Sequence, residues 1–255
     1  MADELHELLD FAHQIAWQAG KITLRHFQSE LTIDRKADES PVTIADRESE
    51  SFLRAAIIAR YPSHAILGEE EGLTGSESAT YRWILDPIDG TKTFVRGVPL
   101  YGVMVGLVRE EQPVLGVVNV PAIGEIVYAA KGHGCWWNGR PCRVSQVASL
   151  GESLVVATGA QHYERYGKAE RFQRILDTCG LFRTWGDCYG HLLVATGRAE
   201  VALDPIMNIW DAAALLPILE AAGGTFTDWA GLATIEGDGG ISTNGAVLNE
   251  LLALR

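Results

Sequence analysis

Short apolar runs and longer amphipathic runs alternate through the second half of this chain of 255 residues. The short runs have the length of strands, and the longer ones carry apolar residues at helical spacing. The strand-like runs are LVVATG, LFRTWG, AEVALDP and GTFTDWA, and the helix-like runs are ERFQRILDTC, DCYGHLLVATG and WDAAALLPILEAAG. Pro217 should bend or shorten the last helix, because proline cannot complete the helical hydrogen bonding. Alternation of this kind favours a layered α/β fold, in which helices cover sheets.

The first half begins with two helical patterns. Residues 3–28 place apolar side chains three and four positions apart, which is one face of an amphipathic helix. In the second pattern Thr43 and Asp46 have the spacing of a helix start, and Pro62 closes the segment. We therefore expect two helices before the first strand.

From residue 81 the pattern changes to strands. The runs YRWIL, VMVGLV, LGVVNV and EIVYAA are short, apolar and separated by glycine, proline or charged residues. The dipeptide Asn138-Gly139 is a strong signal for a tight turn, so CWWNGRPCRV is expected to form a β-hairpin.

The composition is that of a globular protein, with 47% hydrophobic and 21% charged residues. The pattern changes near residues 145–152 without a flexible linker. We therefore expect one domain over residues 1–255, with an N-terminal half of about residues 1–147 and a C-terminal half of about residues 148–255.

The net charge of −12 argues against nucleic acid or an anionic membrane surface as a partner. An anionic substrate stays possible, because a bound cation reverses the local charge.

The four cysteines lack the spacing of a zinc site or a redox pair, so we expect reduced thiols in a cytoplasmic protein. They are Cys135, Cys142, Cys179 and Cys188. The acidic, polar start MADELHELLD does not resemble a signal peptide, and no apolar run is long enough to span a membrane. The expected localisation is cytoplasmic, with no membrane partner.

An apolar strand pattern runs directly into an acidic turn in WILDPIDGTKTF, residues 83–94. Asp86 and Asp89 lie on either side of Pro87, and carboxylates so close repel each other unless a proton or a cation lies between them. Carboxylate and carbonyl oxygens suit Mg²⁺, which commonly shares its coordination sphere with a substrate phosphate. The same composition is also good turn chemistry, so this stretch alone leaves a purely structural role open.

Two further acidic positions have the same ambiguity. The run ILGEEEG, residues 66–72, ends in Glu69 and two more glutamates, which alone indicate a solvated surface. Asp211 stands at the start of the helix-like run NIWDAAALL, where the macrodipole stabilises an acid in any helix. Taken singly, neither position predicts a site.

The motifs GEE, DPIDGT and WDAA occur in this order between about Asp34 and the C-terminus, and together they resemble the inositol monophosphatase family of metal-dependent phosphatases. The resemblance implies a layered αβαβα fold of the α/β class, shared with fructose-1,6-bisphosphatases. It implies hydrolysis of a small phosphate monoester, two or three Mg²⁺ ions per active site and a homodimer. In this family the acidic turn is the floor of the metal site.

The resemblance also assigns roles to individual residues. The implied metal ligands are Glu69, Asp86, the carbonyl of Ile88, Asp89 and Asp211. The implied catalytic residues are Glu69, Thr91 and Asp46. Thr91 would help Glu69 to orient the attacking water, and Asp46 would support Thr91 unless it is only a helix cap. The implied substrate-binding residues are Ile88, Asp89, Gly90, Thr91, Gly186, Asp187, Asp204 and Asp211.

Hydrolysis at a site of this type needs no covalent nucleophile. Mg²⁺ neutralises the phosphate charge, lowers the pKa of a bound water and stabilises the leaving oxygen, so a metal-activated water attacks directly. Cys188 and His191 lack the signature of a base-activated nucleophile, so neither is predicted to be one.

The segment from FRTWG to WD is expected to select the substrate, because in the family it reaches over the leaving group. Asp204 matches the position at which inositol monophosphatases bind sugar hydroxyls. Asp187 stands where those enzymes tend to have small residues, although it could be only an N-cap. Two acids there would favour a cationic substrate. The segment most resembles histidinol-phosphate phosphatases of this superfamily, which implies hydrolysis of L-histidinol phosphate in histidine biosynthesis.

Two alternatives stay open. An inositol-1-monophosphatase, or a broad polyol phosphatase, would use Asp187 and Asp204 to bind hydroxyl groups. A catalytically silent regulator could bind metal or anions on the same fold, although the complete set of matched ligands argues against it. A bisphosphatase fits less well, because a second phosphate should need its own cluster of basic residues.

Overall fold

The computed structural model describes residues 2–36 and 41–254. Its helices are α1 (Ala2–His26), α2 (Ile44–Arg60), α3 (Thr91–Val95), α4 (Gln161–Arg165), α5 (Ala169–Thr178), α6 (Asp187–Ala195), α7 (Ile209–Ala212), α8 (Leu215–Ala221) and α9 (Leu248–Ala253). Its strands are β1 (Asp34–Arg35), β2 (Pro41–Val42), β3 (Ala65–Gly68), β4 (Gly72–Thr74), β5 (Tyr81–Asp89), β6 (Gly102–Arg109), β7 (Gln112–Val120), β8 (Glu125–Ala130), β9 (Gly134–Trp137), β10 (Arg140–Pro141), β11 (Leu154–Ala157), β12 (Leu181–Arg183), β13 (Val201–Asp204), β14 (Thr225–Thr227) and β15 (Gly240–Thr243).

The larger sheet has the strand order β10-β9-β8-β7-β6-β5-β3-β4. Its pairs are antiparallel except for β3 and β5, which run parallel. The central strands are buried on both faces, which explains their nearly continuous apolar sequences. The expected hairpin of β9 and β10 is confirmed: Asn138 and Gly139 both have positive φ, 48° and 77°, as a tight two-residue turn requires.

The smaller sheet has the order β12-β11-β13-β15-β14. Strand β11 runs parallel to β12 and β13, whereas β15 runs antiparallel to β13 and β14. The antiparallel pairing of β13 with β15 places Ala202 opposite Ser242 and Asp204 opposite Gly240. This register brings the end of β13 next to the start of β15.

The side chains of the two sheets separate the apolar interior into layers. In β5, Trp83 and Leu85 belong to a cluster with α1 and α2, whereas Ile84 belongs to a second cluster with α6, α8 and the smaller sheet. In β13, Ala202 faces that second cluster, and Val201 packs outward with α5 and α9. The order of layers is therefore helix, sheet, helix, sheet, helix, and the predicted αβαβα architecture of the α/β class is confirmed.

Three predictions about individual elements have different outcomes. Thr43 caps α2 as expected, with Asp46 completing a capping box. The last helical pattern is shortened into α7 and α8, because Pro217 in the first turn of α8 cannot donate a hydrogen bond to Ala213. The prediction that two helices precede the first strand is wrong, since the short strands β1 and β2 pair with each other in the α1–α2 connection. Strands of two residues are too short to produce a periodic pattern.

The four cysteines are free thiols in the described residues, as the sequence predicts. Across residues 2–36 and 41–254, no helix combines the length and the apolar character needed to cross a membrane.

Candidate active site

The acidic turn of residues 86–91 is part of strand β5 and is not a loop that follows it. The apolar run YRWIL predicts a strand that ends at Leu85, whereas β5 continues to Asp89 with a register shift against β6 between Asp86 and Asp89. This bulge turns both carboxylates toward one side, and Asp86 Oδ1 accepts a hydrogen bond of 3.0 Å from the Ile88 amide. Gly90 follows with φ of 81°, a left-handed conformation that favours glycine, and it leads directly into α3.

Three carboxylates meet at this turn. Asp86, Asp89 and Asp211, here called the three-acid cluster, have ligand oxygens within 4.8 Å of one another. Asp211 reaches the cluster from α7, where its Oδ2 also accepts a 2.7 Å hydrogen bond from the Asn208 amide. Burial, followed by the charges of Glu69 and of the two other acids, raises the pKa of Asp86 well above its usual range. Like charges held this close fit a site for a divalent cation.

Glu69 lies beside the three-acid cluster and bonds to a lysine. It follows β3, and its Oε1 accepts a 2.7 Å hydrogen bond from the Nζ of Lys36. The same ammonium group donates to Glu70 at 2.7 Å. Burial opposes the charge of Lys36, yet the bonds to Glu69 and Glu70 outweigh it and raise the lysine pKa. Sequence reasoning missed Lys36, because 33 residues separate it from Glu69 and no motif connects them.

Thr91 joins the turn to α2. Its hydroxyl lies 3.1 Å from the Ile88 carbonyl and 3.4 Å from Asp46 Oδ1, and it can donate to either. Asp46 is buried, and its other oxygen accepts bonds from both the amide and the hydroxyl of Thr43, at 2.8 and 2.7 Å. Asp46 therefore caps α2 and also lies beside Thr91, and its support of Thr91 stays a prediction.

Asp187 approaches the cluster from the first residue of α6. The alternative that it is an N-cap is wrong: Gly186 occupies the N-cap position, and Asp187 Oδ2 accepts a 2.9 Å bond from Thr93. A Cβ on Gly186 would lie 2.4 Å from the hydroxyl oxygen of Thr158, so only glycine fits there. The Cys188 amide donates to Asp89, which connects the start of α6 to the three-acid cluster.

A cavity of about 160 Å³ opens next to the three-acid cluster and is here called the leaving-group cavity. Asp187 and Asp204 line it together with Asp89 and Asp211, and Ile206 and Met207 supply an apolar wall. Burial, and then the charge of Asp204, raises the pKa of Asp187 to about 6. His162 also lines this cavity; sequence reasoning missed it, because it lies on the short helix α4, far along the chain from the motifs.

The sequence predicted most of the acids that the fold brings together. Every predicted metal ligand lies at or beside the acidic turn, although Glu69 is outside the three-acid cluster and the Ile88 carbonyl lies within hydrogen-bonding distance of the Thr91 hydroxyl. The predicted substrate residues Gly186, Asp187 and Asp204 lie around the leaving-group cavity. The roles of these residues stay predictions, since the geometry gives their positions and not their functions.

Comparison with known proteins decides the family. Residues 4–254 match the model of the inositol monophosphatase family. The chain belongs to this family. It is 44% identical to a histidinol-phosphatase of Chlorobaculum parvum, over 96% of this chain and 95% of that protein. It is 39% identical to a histidinol-phosphatase of Mycobacterium tuberculosis, over 97% of each chain. Among solved structures, an inositol monophosphatase from Zymomonas mobilis is similar with a TM-score of 0.87 and 32% identity, over 98% of this chain and 97% of that one.

Membership of the inositol monophosphatase family makes this protein a phosphoric monoester hydrolase that acts on a small phosphate monoester. The family is metal-dependent, and the three-acid cluster supplies the hard oxygen donors that such a metal needs. The predicted resemblance and the predicted enzyme class are therefore confirmed.

A buried ion pair fixes the loop that carries Glu69 in this family member. Glu50 on α2 is fully buried and accepts bonds from the amides of Glu70 and Glu71, at 2.8 and 3.0 Å. Arg54 donates to Glu50 at 2.8 Å and also bonds the Gly72 carbonyl and the Thr74 hydroxyl. Helix α2 therefore fixes the backbone of Glu70 and Glu71, directly after Glu69.

The metal-free enzyme should lose stability as the pH rises from about 4 to about 7. Burial raises the pKa of Glu70 and of Asp211 to about 7 and that of Asp187 to about 6. Between an ordinary carboxyl pKa of about 4 and these values, the folded chain holds protons that the unfolded chain has released, so stability falls as they leave. Divalent cations bind deprotonated carboxylates, so the stabilising effect of added Mg²⁺ should grow over the same range.

Thermal unfolding between pH 5 and pH 8, with EDTA or with Mg²⁺, measures both effects. The difference in Tm between the Mg²⁺ and EDTA samples at each pH reports the metal-binding acids, because other titrating groups contribute equally to both samples. A Mg²⁺-induced shift in Tm that stays constant across this range would contradict the prediction.

Proposed function

We propose that this enzyme hydrolyses L-histidinol phosphate to L-histidinol and phosphate with Mg²⁺, as a step of histidine biosynthesis. The observation that carries the proposal is the pair of carboxylates, Asp187 and Asp204, in the leaving-group cavity beside the three-acid cluster. L-Histidinol has a cationic amine, and carboxylates in a partly dry cavity bind such a group selectively. The similarity to two histidinol-phosphatases supports the same substrate.

The metal site would use the acids of the turn and their neighbours. We propose as ligands Glu69, Asp86, the Ile88 carbonyl, Asp89 and Asp211, holding two or three Mg²⁺ ions. Bound Mg²⁺ would neutralise the phosphate charge and lower the pKa of a water. Glu69 and the Thr91 hydroxyl would orient that water, and Asp46, which contacts Thr91, would fix the hydroxyl. Lys36 bonds only Oε1 of Glu69, which leaves Oε2 for a cation.

Phosphate and leaving group would lie on opposite sides of Asp89. Gly90 and Thr91 begin α3, whose first amides have no partner inside the helix and can donate to phosphate oxygens. Asp187 and Asp204 would bind the amine of the leaving group, and Gly186 allows the close approach of α6. Ile206 and Met207 would cover the apolar part of the substrate.

Inositol-1-monophosphatase activity is the second candidate. It is favoured by the similarity to the inositol monophosphatase from Zymomonas mobilis and by the fact that carboxylates also accept hydrogen bonds from hydroxyls. The family resemblance further supports a homodimer as a proposal, which sedimentation of the purified enzyme would test.

Parallel phosphate-release assays with Mg²⁺ separate these substrates. We expect kcat/KM for L-histidinol phosphate to exceed that for inositol 1-phosphate by about 100-fold, or roughly 2.7 kcal/mol, with fructose 1,6-bisphosphate a poorer substrate. Asp187→Asn combined with Asp204→Asn should bring the first ratio close to one, since the charge that selects the amine is gone. Comparable wild-type rates on the first two substrates would support the inositol phosphatase instead.

A further inference from the structure

A buried chain of hydrogen bonds fixes the Asp204 side chain through His191 and Ser242. Oδ2 of Asp204 lies 2.9 Å from Nε2 of His191, and Nδ1 of His191 lies 2.7 Å from the hydroxyl of Ser242. His191 and Ser242 are fully buried, and Asp204 is only 8% exposed, at the wall of the leaving-group cavity. The backbone of Asp204 is fixed as well, because Trp229 Nε1 donates to its carbonyl at 2.8 Å. The position of this carboxylate is therefore determined by the fold before a substrate binds.

The partners of the imidazole determine which nitrogen carries its proton. A carboxylate only accepts hydrogen bonds, so Nε2 of a neutral His191 must donate to Asp204. Nδ1 then has a lone pair, which accepts from the Ser242 hydroxyl. The hydrogen bond from Nε2 therefore fixes the orientation of the Asp204 carboxylate. In the described residues, the hydrogen bonds to the Asp204 side chain all come from His191 and reach only Oδ2, which leaves Oδ1 for a ligand.

One helix positions Asp187 and Asp204, the two acids of the leaving-group cavity that lie outside the three-acid cluster. Asp187 is the first residue of α6, and His191 lies one turn later on the same helix. Helix α6 therefore supplies Asp187 directly and fixes Asp204 through His191, while β15 supplies Ser242 from the opposite side. The arrangement connects two acids that are 17 positions apart in the printed sequence.

We propose that His191, oriented by Ser242, is a positioning residue that holds the Asp204 carboxylate aimed at the leaving group. Asp204 thereby becomes the group that selects a cationic alcohol over a neutral one. The choice of a cationic leaving group rests on the proposed function; the coupling between His191 and Asp204 does not, because it follows from the hydrogen-bond geometry alone.

A double-mutant cycle tests the coupling. His191→Leu should lower kcat/KM for L-histidinol phosphate about 30-fold, mainly through KM, because a bond to a charged group is lost. The same variant should change kcat/KM for inositol 1-phosphate by less than about threefold. In an Asp204→Asn background, His191→Leu should have little further effect, since His191 acts only through Asp204. His191→Gln, which can still donate to Asp204, should recover most of the lost activity.

Tyr163→Phe is the matched control. It removes another buried hydrogen bond, the 2.8 Å bond from Tyr163 to the carbonyl of Leu203, without touching the Asp204 side chain. This variant should lower Tm and leave the ratio between the two substrates unchanged. If His191→Leu does not fold, Ser242→Ala replaces it in the cycle, with an expected loss of about three- to tenfold on L-histidinol phosphate.

The outcomes separate this proposal from the proposed function. A wild-type preference for L-histidinol phosphate that survives His191→Leu overturns the role of His191 and leaves the substrate in place. The absence of a wild-type preference overturns the substrate, and the cycle is then run on the phosphate ester that the enzyme does hydrolyse. On that ester, the coupling between His191 and Asp204 is upheld if the double variant loses less kcat/KM than the product of the two single losses. Losses that multiply overturn it.

Discussion

Replacing Asp89 with Asn should lower kcat on the order of 1000-fold or more and leave the fold intact. Asp89 belongs to the three-acid cluster, and a metal held there contributes several kcal/mol of charge stabilisation in the transition state. Asparagine has the same shape and can still accept the hydrogen bond from the Cys188 amide. Burial, and then the charges of Asp187 and Asp211, raises the pKa of Asp89 well above its usual range, so an uncharged side chain should not destabilise the metal-free protein.

Phosphate release at saturating Mg²⁺, together with thermal unfolding in EDTA, measures both parts of this prediction. Asp238→Asn is the control, because Asp238 is an exposed acid that pairs with Lys168 outside the site. Activity of Asp89→Asn near the wild-type level would mean that the acidic turn is not the metal site.

Replacing Arg54 with Met should lower the free energy of unfolding by about 3–5 kcal/mol, because it leaves Glu50 buried without its charged partner. The same change should weaken Mg²⁺ binding about 10- to 100-fold, as expected when a residue that orients a ligand is lost. Glu50 accepts hydrogen bonds from the amides of Glu70 and Glu71, and these bonds fix the loop that carries Glu69. Denaturant unfolding and a Mg²⁺ titration of activity measure the two effects.

Arg47→Met provides the matched control for Arg54→Met. Arg47 lies on the same helix and pairs with Asp34 at 2.8 Å, but both side chains are about half exposed. An exposed pair of this kind contributes about 1 kcal/mol or less. Equal losses of unfolding free energy in the two variants would show that the buried Glu50–Arg54 pair stabilises the fold no more than an exposed pair does.

The parts of the fold that the sequence predicted are those with local signals. The helix start at Thr43, the hairpin turn at Asn138 and the split near Pro217 each depend on the chemistry of a few neighbouring residues. Strand β15 and helix α9 were missed, because glycine and small polar residues surround them in GDGGISTNGAVLNELLALR. The continuation of β5 past Leu85 was missed as well, since its pairing with β6 is a tertiary contact.

The candidate site shows the same division. The acids of the turn and Asp211 could be found by motif, because a metal site repeats residue types at defined positions. Lys36, Glu50 and the His191–Ser242 pair could not be found in this way, because each meets its partner only after the chain has folded. His191 lacks the sequence signature of a base-activated nucleophile. Its contact with Asp204 shows instead a supporting position that no local pattern contains.

Phosphate release from L-histidinol phosphate, measured on enzyme stripped with EDTA as Mg²⁺ is added back, tests the central claim most directly. We expect no release above the blank without Mg²⁺, saturable recovery as it is added, and no recovery in Asp89→Asn. Undiminished release in EDTA, or an Asp89→Asn enzyme that recovers as the wild type does, would contradict a metal-dependent phosphatase centred on the three-acid cluster.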